Sequence, residues 1–197
     1  MAVVRGPWLA DRGVETDNGQ RTTDHEFTVV SSPAVAFTFV VGAARDVFPP
    51  ELAQAVEEKL RSRFALPAGA DEEAYRSDHV EPAGWLALQK RLAAIAGVDA
   101  YQAVFVPAPV KRLEEIVVQN LADPLHVAGL EALLKGLHDF AAKASLPTDD
   151  VKLMELAARY LEDDSLVDRD LDVQTYVQLM LSAKQAAARK QPLWIAS

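Results

Sequence analysis

From Leu130 to Ala144, apolar residues recur at three- and four-residue steps: Leu130, Leu133, Leu134, Leu137, Phe140, Ala141 and Ala144. That spacing stacks side chains on one helical face. Asp123 offers a capping oxygen and Pro124 fits a first helical position, so the pattern predicts a helix over 124–144. Glu131 with Lys135 and Asp139 with Lys143 form i,i+4 pairs on the polar face. At about 100° per residue the apolar arc from Ala132 round to Val127 exceeds half the circumference. A helix so patterned is expected to be an interior rod, packed on two sides, with the rest of the chain built around it.

Elsewhere the pattern alternates between periods of two and of three to four. Glu26–Val30, Val35–Val41 and Tyr101–Val106 read as strands, rich in Val, Phe and Thr, and Ala2–Val4 as a shorter one. Asp17-Asn18-Gly19 reads as a hairpin tip. Ser31-Ser32-Pro33 separates two strands so closely that they are expected to pair antiparallel. Helices are expected from Pro50 to before Pro67 on Leu52, Val56, Leu60 and Phe64, and over 83–96 on Trp85, Leu88, Leu92 and Ile95, with Gly97 closing the second. Pro107 and Pro109 break the strand before them. Three more helices are expected in the second half: 110–122 on Leu113, Ile116, Val117 and Leu121; 148–161 on Val151, Met154, Ala158 and Leu161; and 173–190 on Val173, Tyr176, Val177, Met180 and Leu181. The tail Leu193-Trp194-Ile195 is too apolar to stay in water and is expected to dock.

The order of elements points to an α+β fold. A small, mostly antiparallel sheet with helices is expected over 1–107. An all-helical region of four helices, built around helix 124–144, is expected over 108–197, the two packed as one compact unit.

Composition changes this picture little. The formal charge is −9, with the acidic excess spread over both halves. No concentrated basic surface offers itself to phosphate, which argues against nucleic acid and anionic membranes. There is no cysteine, which removes thiolate catalysis, disulfides and thiolate zinc sites. The first residues lack a signal-peptide run, and the longest apolar run, Val35–Ala44, is too short to span a bilayer. A cytoplasmic, soluble protein is the expectation.

Candidate chemistry is sparse. Asp24-His25-Glu26 and Asp78-His79-Val80-Glu81 combine imidazole with carboxylates, a workable set for a divalent metal or acid–base work. Neither spacing fixes a geometry, so each reads first as a solvated loop. His126 falls in the expected first turn of helix 124–144, and His138 on its polar edge; both read as packing or surface residues. Gly129 and Gly136 read as points of close approach. Val41–Asp46 follows a strand but matches no phosphate-binding motif, and Asp168, Asp170 and Asp172 lack the glycine and glutamate of a calcium loop. No catalytic residue, metal site or cofactor is assigned.

Two acidic patches remain: Asp71, Glu72, Glu73, Asp78 and Glu81; and Glu162, Asp163, Asp164, Asp168, Asp170 and Asp172. Such runs are usually solvated, but they also suit docking of a basic partner. The leading functional expectation is a non-enzymatic protein-interaction module, one form of which is an inhibitor or immunity-type protein that neutralises a basic partner. The alternative is a small-molecule-binding protein or enzyme with a pocket between the sheet and helix 124–144, using His25, His79 and His126 as polar groups. Homo-oligomerisation is left open.

Overall fold

The computed structural model describes residues 36–66, 73–98, 102–162 and 170–196. The chain is α+β, with one six-stranded mixed sheet and, among the described residues, five α-helices. The strands are β1 (Thr38–Val41), β2 (Tyr75–Arg76), β3 (Ala103–Val106), β4 (Glu114–Ile116), β5 (Leu125–Gly129) and β6 (Leu193–Ala196). The helices are α1 (Pro50–Phe64), α2 (Pro82–Gln89), α3 (Leu130–Ala144), α4 (Asp150–Glu162) and α5 (Leu171–Arg189). Strand order is β2-β1-β6-β3-β5-β4. Only β3 and β5 run parallel; the other neighbours are antiparallel.

Both faces of the sheet are covered. Phe39, Val41, Phe105, Leu193 and Ile195 share a core with Trp85 and Leu88 of α2, Leu133 and Leu137 of α3, Leu153 of α4 and Tyr176 and Met180 of α5. Val40, Val104, Val106, Val127 and Trp194 face the other way, against Ala53, Val56 and Leu60 of α1. A strand buried on both faces needs apolar residues at every position, and β3 accordingly reads Ala-Val-Phe-Val with all four buried.

Much of the expected pattern holds. α1 occupies its expected span and buries Val56 and Leu60. Trp85, Leu88, Leu92 and Ile95 are all buried, although the helix expected over 83–96 ends at Gln89 and a 3₁₀ turn, Ala93–Ile95, completes the segment. Gly97 takes a φ of 75°, the left-handed conformation that favours glycine. The apolar tail docks as β6, inserted between β1 and β3. The hairpin tip at Asp17–Gly19 and the strands at 2–4 and 26–30 lie outside the described residues.

The second half is not all-helical. Residues 110–122 hold β4 where a helix was expected, and Asn120, at a φ of 67°, turns the chain in a conformation a helix cannot contain. The stretch Ile116-Val117-Val118 is β-branched and favours extension. The helix expected to begin at Pro124 begins at Leu130; Leu125–Gly129 is β5 and runs straight into it. Four residue pairs of parallel ladder with β3 outweigh the capping signal of Asp123-Pro124.

Nor is α3 an interior rod. It buries Leu130, Leu133, Leu137, Phe140 and Ala141 and leaves its other side to solvent. The central helix is α5, which packs against α2, α3, α4 and three strands and buries even Thr175, Gln178 and Ser182. Those polar groups are answered locally. Thr175 donates to the carbonyl of Leu171 (2.9 Å), Ser182 to that of Gln178 (2.7 Å), and the Gln178 amide to Asp78 (3.1 Å). No described helix is long and apolar enough to cross a membrane.

Candidate functional site

The sheet ends at two edges, and they differ. At one, β2 contributes two residues and is followed by the segment whose Val80 bridges Phe37. At the other, β4 pairs, among the described residues, with β5 alone. Its register sets Glu114 opposite Val127, Glu115 opposite His126 and Ile116 opposite Leu125. The amide of His126 donates to Gln102 at 2.6 Å, towards β3. The N–H and C=O of one strand residue point to the same side, so His126 turns both groups away from β4. Glu115 therefore sits in a non-hydrogen-bonded pair and directs its own N–H and C=O out from the sheet. Among the described residues, no backbone group answers them.

Side chains alternate across β4. Ile116 enters the core under α1, and Glu114, on the same face, accepts two hydrogen bonds from Arg63 of α1 (3.1 and 3.2 Å). Glu115 points to the opposite face, where its carboxylate lies 3.9 Å from Nε2 of His126 and is 68% exposed. Side chains of a non-hydrogen-bonded pair approach closely, which accounts for this contact.

Between α1 and β4 runs a groove. One section, of about 330 Å³, is lined by Lys59, Arg63, Glu114, Glu115, Ile116 and Val117. The next, of about 440 Å³, adds Ala55, Glu58, Ser62, Val118 and Gln119 and shares Lys59 and Val117 with the first. Val117 stands at the lip of both and is 75% exposed, the most exposed large apolar side chain described. An open strand edge beside an exposed valine and an elongated groove is a surface that natural folds usually shorten or cover.

The residues singled out from sequence are scattered. His79 and His138 are exposed. His79 lies beside the β1–β2 end of the sheet and His126 on β5; β1 and β5 are three strand spacings apart, about 14 Å. His126 is in mid-strand on β5 rather than in the first turn of a helix. His25 lies outside the described residues. Among those described, no three His, Asp or Glu side chains gather as metal ligands would. The space between the sheet and α3, the place of the alternative pocket, holds Phe105, Leu130, Leu133 and Leu137 packed in one core.

Of the acidic residues, Asp71, Glu72, Asp163, Asp164 and Asp168, and the side chain of Glu162, lie outside the description. Glu73, Asp78 and Glu81 are exposed, and Asp170 is half-buried. Asp78 is held by Gln178, and Asp172 pairs with Arg91, whose guanidinium also lies 4.8 Å over the Phe140 ring. The Val41–Asp46 loop is stapled internally. Asp46 accepts from the Ala43 amide (2.8 Å), and the Gly42 carbonyl accepts from the Trp194 indole (2.9 Å). A Cβ at Gly42 would stand 2.4 Å from the Asp46 carboxylate, so glycine there serves the turn.

Sequence reasoning passed over Glu115 and Val117 because it placed them on a helix. The signal was present in the β-branched run after Glu115 and in Asn120. No family model, curated protein or solved structure matches the chain.

Proposed function

We propose that this protein is a non-enzymatic interaction module that binds a basic protein partner, in the manner of an inhibitor or immunity-type protein, on the α1–β4 face. The observation that carries this reading is the edge of β4, unpaired among the described residues, with Val117 exposed beside the groove along α1. A basic partner is favoured by the net charge of −9 and by the exposed Glu115 at the centre of that edge. The acidic patches around Asp78 and Asp172 then act at long range, raising the rate of encounter, since both carboxylates are tied into α5's packing.

The test is affinity capture from the native host with the full chain as bait, alongside Val117→Asp. A stoichiometric basic protein retained by the wild type and lost from the variant is the expected result. A wild-type bait that retains no stoichiometric protein contradicts the reading.

A further inference from the structure

We propose that the partner is held by strand addition: an extended segment of it joins the sheet antiparallel to β4 as a seventh strand. This inference rests on the interaction reading above and specifies its chemistry. Glu115 presents an N–H and a C=O outward at one position, which is the spacing an antiparallel strand pairs with. Main-chain bonds of this kind supply affinity, and alternate side chains supply specificity.

The geometry fixes which residues the segment carries. The residue opposite Glu115 lies on the same face as Glu115 and His126 and meets an exposed carboxylate. Lys or Arg is complementary there, as opposite charges across a strand pair stabilise it. The residues on either side of it point to the other face, into the α1 groove. That groove is lined by Ala55, Ile116, Val117 and Val118, with Lys59 and Ser62 on its helical wall. Apolar side chains fit between these valines. Arg63 is already engaged by Glu114 and Lys59 belongs to the α1 wall, so within β4 itself the exposed carboxylate is that of Glu115. The segment is thus extended, with a basic residue flanked by apolar ones.

A second copy of this chain is the wrong occupant. Two β4 strands pairing about a twofold axis at Glu115 set Glu115 against its own counterpart, and like charges directly opposite destabilise a ladder. Two chains of charge −9 also repel on approach. The same carboxylate that invites a basic segment therefore guards the edge against self-association.

The experiment uses a random twelve-residue peptide display library panned against the full chain, followed by synthesis of the enriched sequences. Expected are peptides alternating apolar and basic residues that slow exchange of the Glu115 amide when bound. Single backbone N-methylation along such a peptide should weaken binding at least tenfold at every second position and little between, because only alternate N–H groups face β4. Glu115→Lys should weaken the basic peptides at least fivefold and enrich acidic ones instead. Peptides indifferent to N-methylation, peptides that leave the Glu115 amide unchanged, or a library that yields no saturable binder would each overturn strand addition. The parent reading fails separately: it survives if the partner captured from the host binds without protecting Glu115, and falls if no such partner exists.

Discussion

Gly84 lies where α2 crosses α5, and a Cβ there would stand 2.4 Å from the Thr175 hydroxyl and 2.7 Å from the Leu171 carbonyl. The second contact is backbone and cannot rotate away. Gly84→Ala is therefore expected to lower stability by about 1–3 kcal/mol, the usual range for overpacking, as measured by urea denaturation. A gain in stability would show that the two helices are not so closely set. Gly136 is the same kind of residue against Ala94, at 2.6 Å, and the close approach it was expected to serve is real. Gly129, expected inside the same helix, instead ends β5, where an added Cβ would come within 3.0 Å of the Val110 carbonyl. Two buried tyrosines couple the fold to alkaline pH. Burial pushes Tyr176 up to about 12, its hydroxyl donating to the Pro147 carbonyl, and burial together with Asp170 and Asp172 pushes Tyr160 up to about 12. An unfolded tyrosine ionises near pH 10, roughly its ordinary value. Between these values the unfolded chain sheds protons that the folded chain keeps, so stability is intact below pH 10 and falls as pH rises towards 12. Urea midpoints measured from pH 8 to 11.5 should be level and then drop, with a shallower drop in Tyr176→Phe. A level profile throughout would contradict the burial of these hydroxyls.

At the scale of elements, α4 shows why periodicity alone misleads. It carries two apolar stripes at helical spacing: Val151, Met154 and Ala158, and Leu153, Leu156, Ala157 and Tyr160. The first was expected to face inward. The fold buries the second, with Leu153 fully covered, while Val151 and Met154 remain 59% and 55% exposed. Nothing local ranks one stripe over the other; docking against α5 does. Leu153→Ala should cost about 2–5 kcal/mol, as core leucines do, whereas Val151→Ala and Met154→Ala should each change stability by less than about 0.5 kcal/mol. Thermal denaturation of the three variants decides the rotation of α4, and the opposite ranking would reverse it. β4 and β5 illustrate a second limit. Leu125, Val127 and Gly129 are buried at every second residue, yet the same stretch continues the three- and four-residue spacing of α3. A short apolar run satisfies both periods, and the parallel ladder to β3 decides. That ladder is formed by a segment some twenty residues earlier in the chain, so no window around His126 contains the information.

At the scale of the molecule, the chain's late residues occupy its middle. β6 follows all the helices, yet lies between β1 and β3 and places Trp194 in one core and Leu193 and Ile195 in the other. The composition of the tail announced burial; which strands would flank it depended on contacts more than eighty residues away in sequence. Trp194→Ala should cost about 3–5 kcal/mol and shift the urea midpoint accordingly. A near-neutral result would mean that β6 is peripheral. With β6 at its centre and both faces covered, the sheet is left with two edges, and among the described residues only β4 combines an open ladder with a groove and an exposed valine. The claim that this edge is uncovered is tested most directly by residue-resolved amide hydrogen exchange of the free protein. The Glu114 and Ile116 amides, which face β5, are expected to be protected and the Glu115 amide between them to exchange freely. Equal protection at all three would show the edge already paired, and the proposed binding face would be lost.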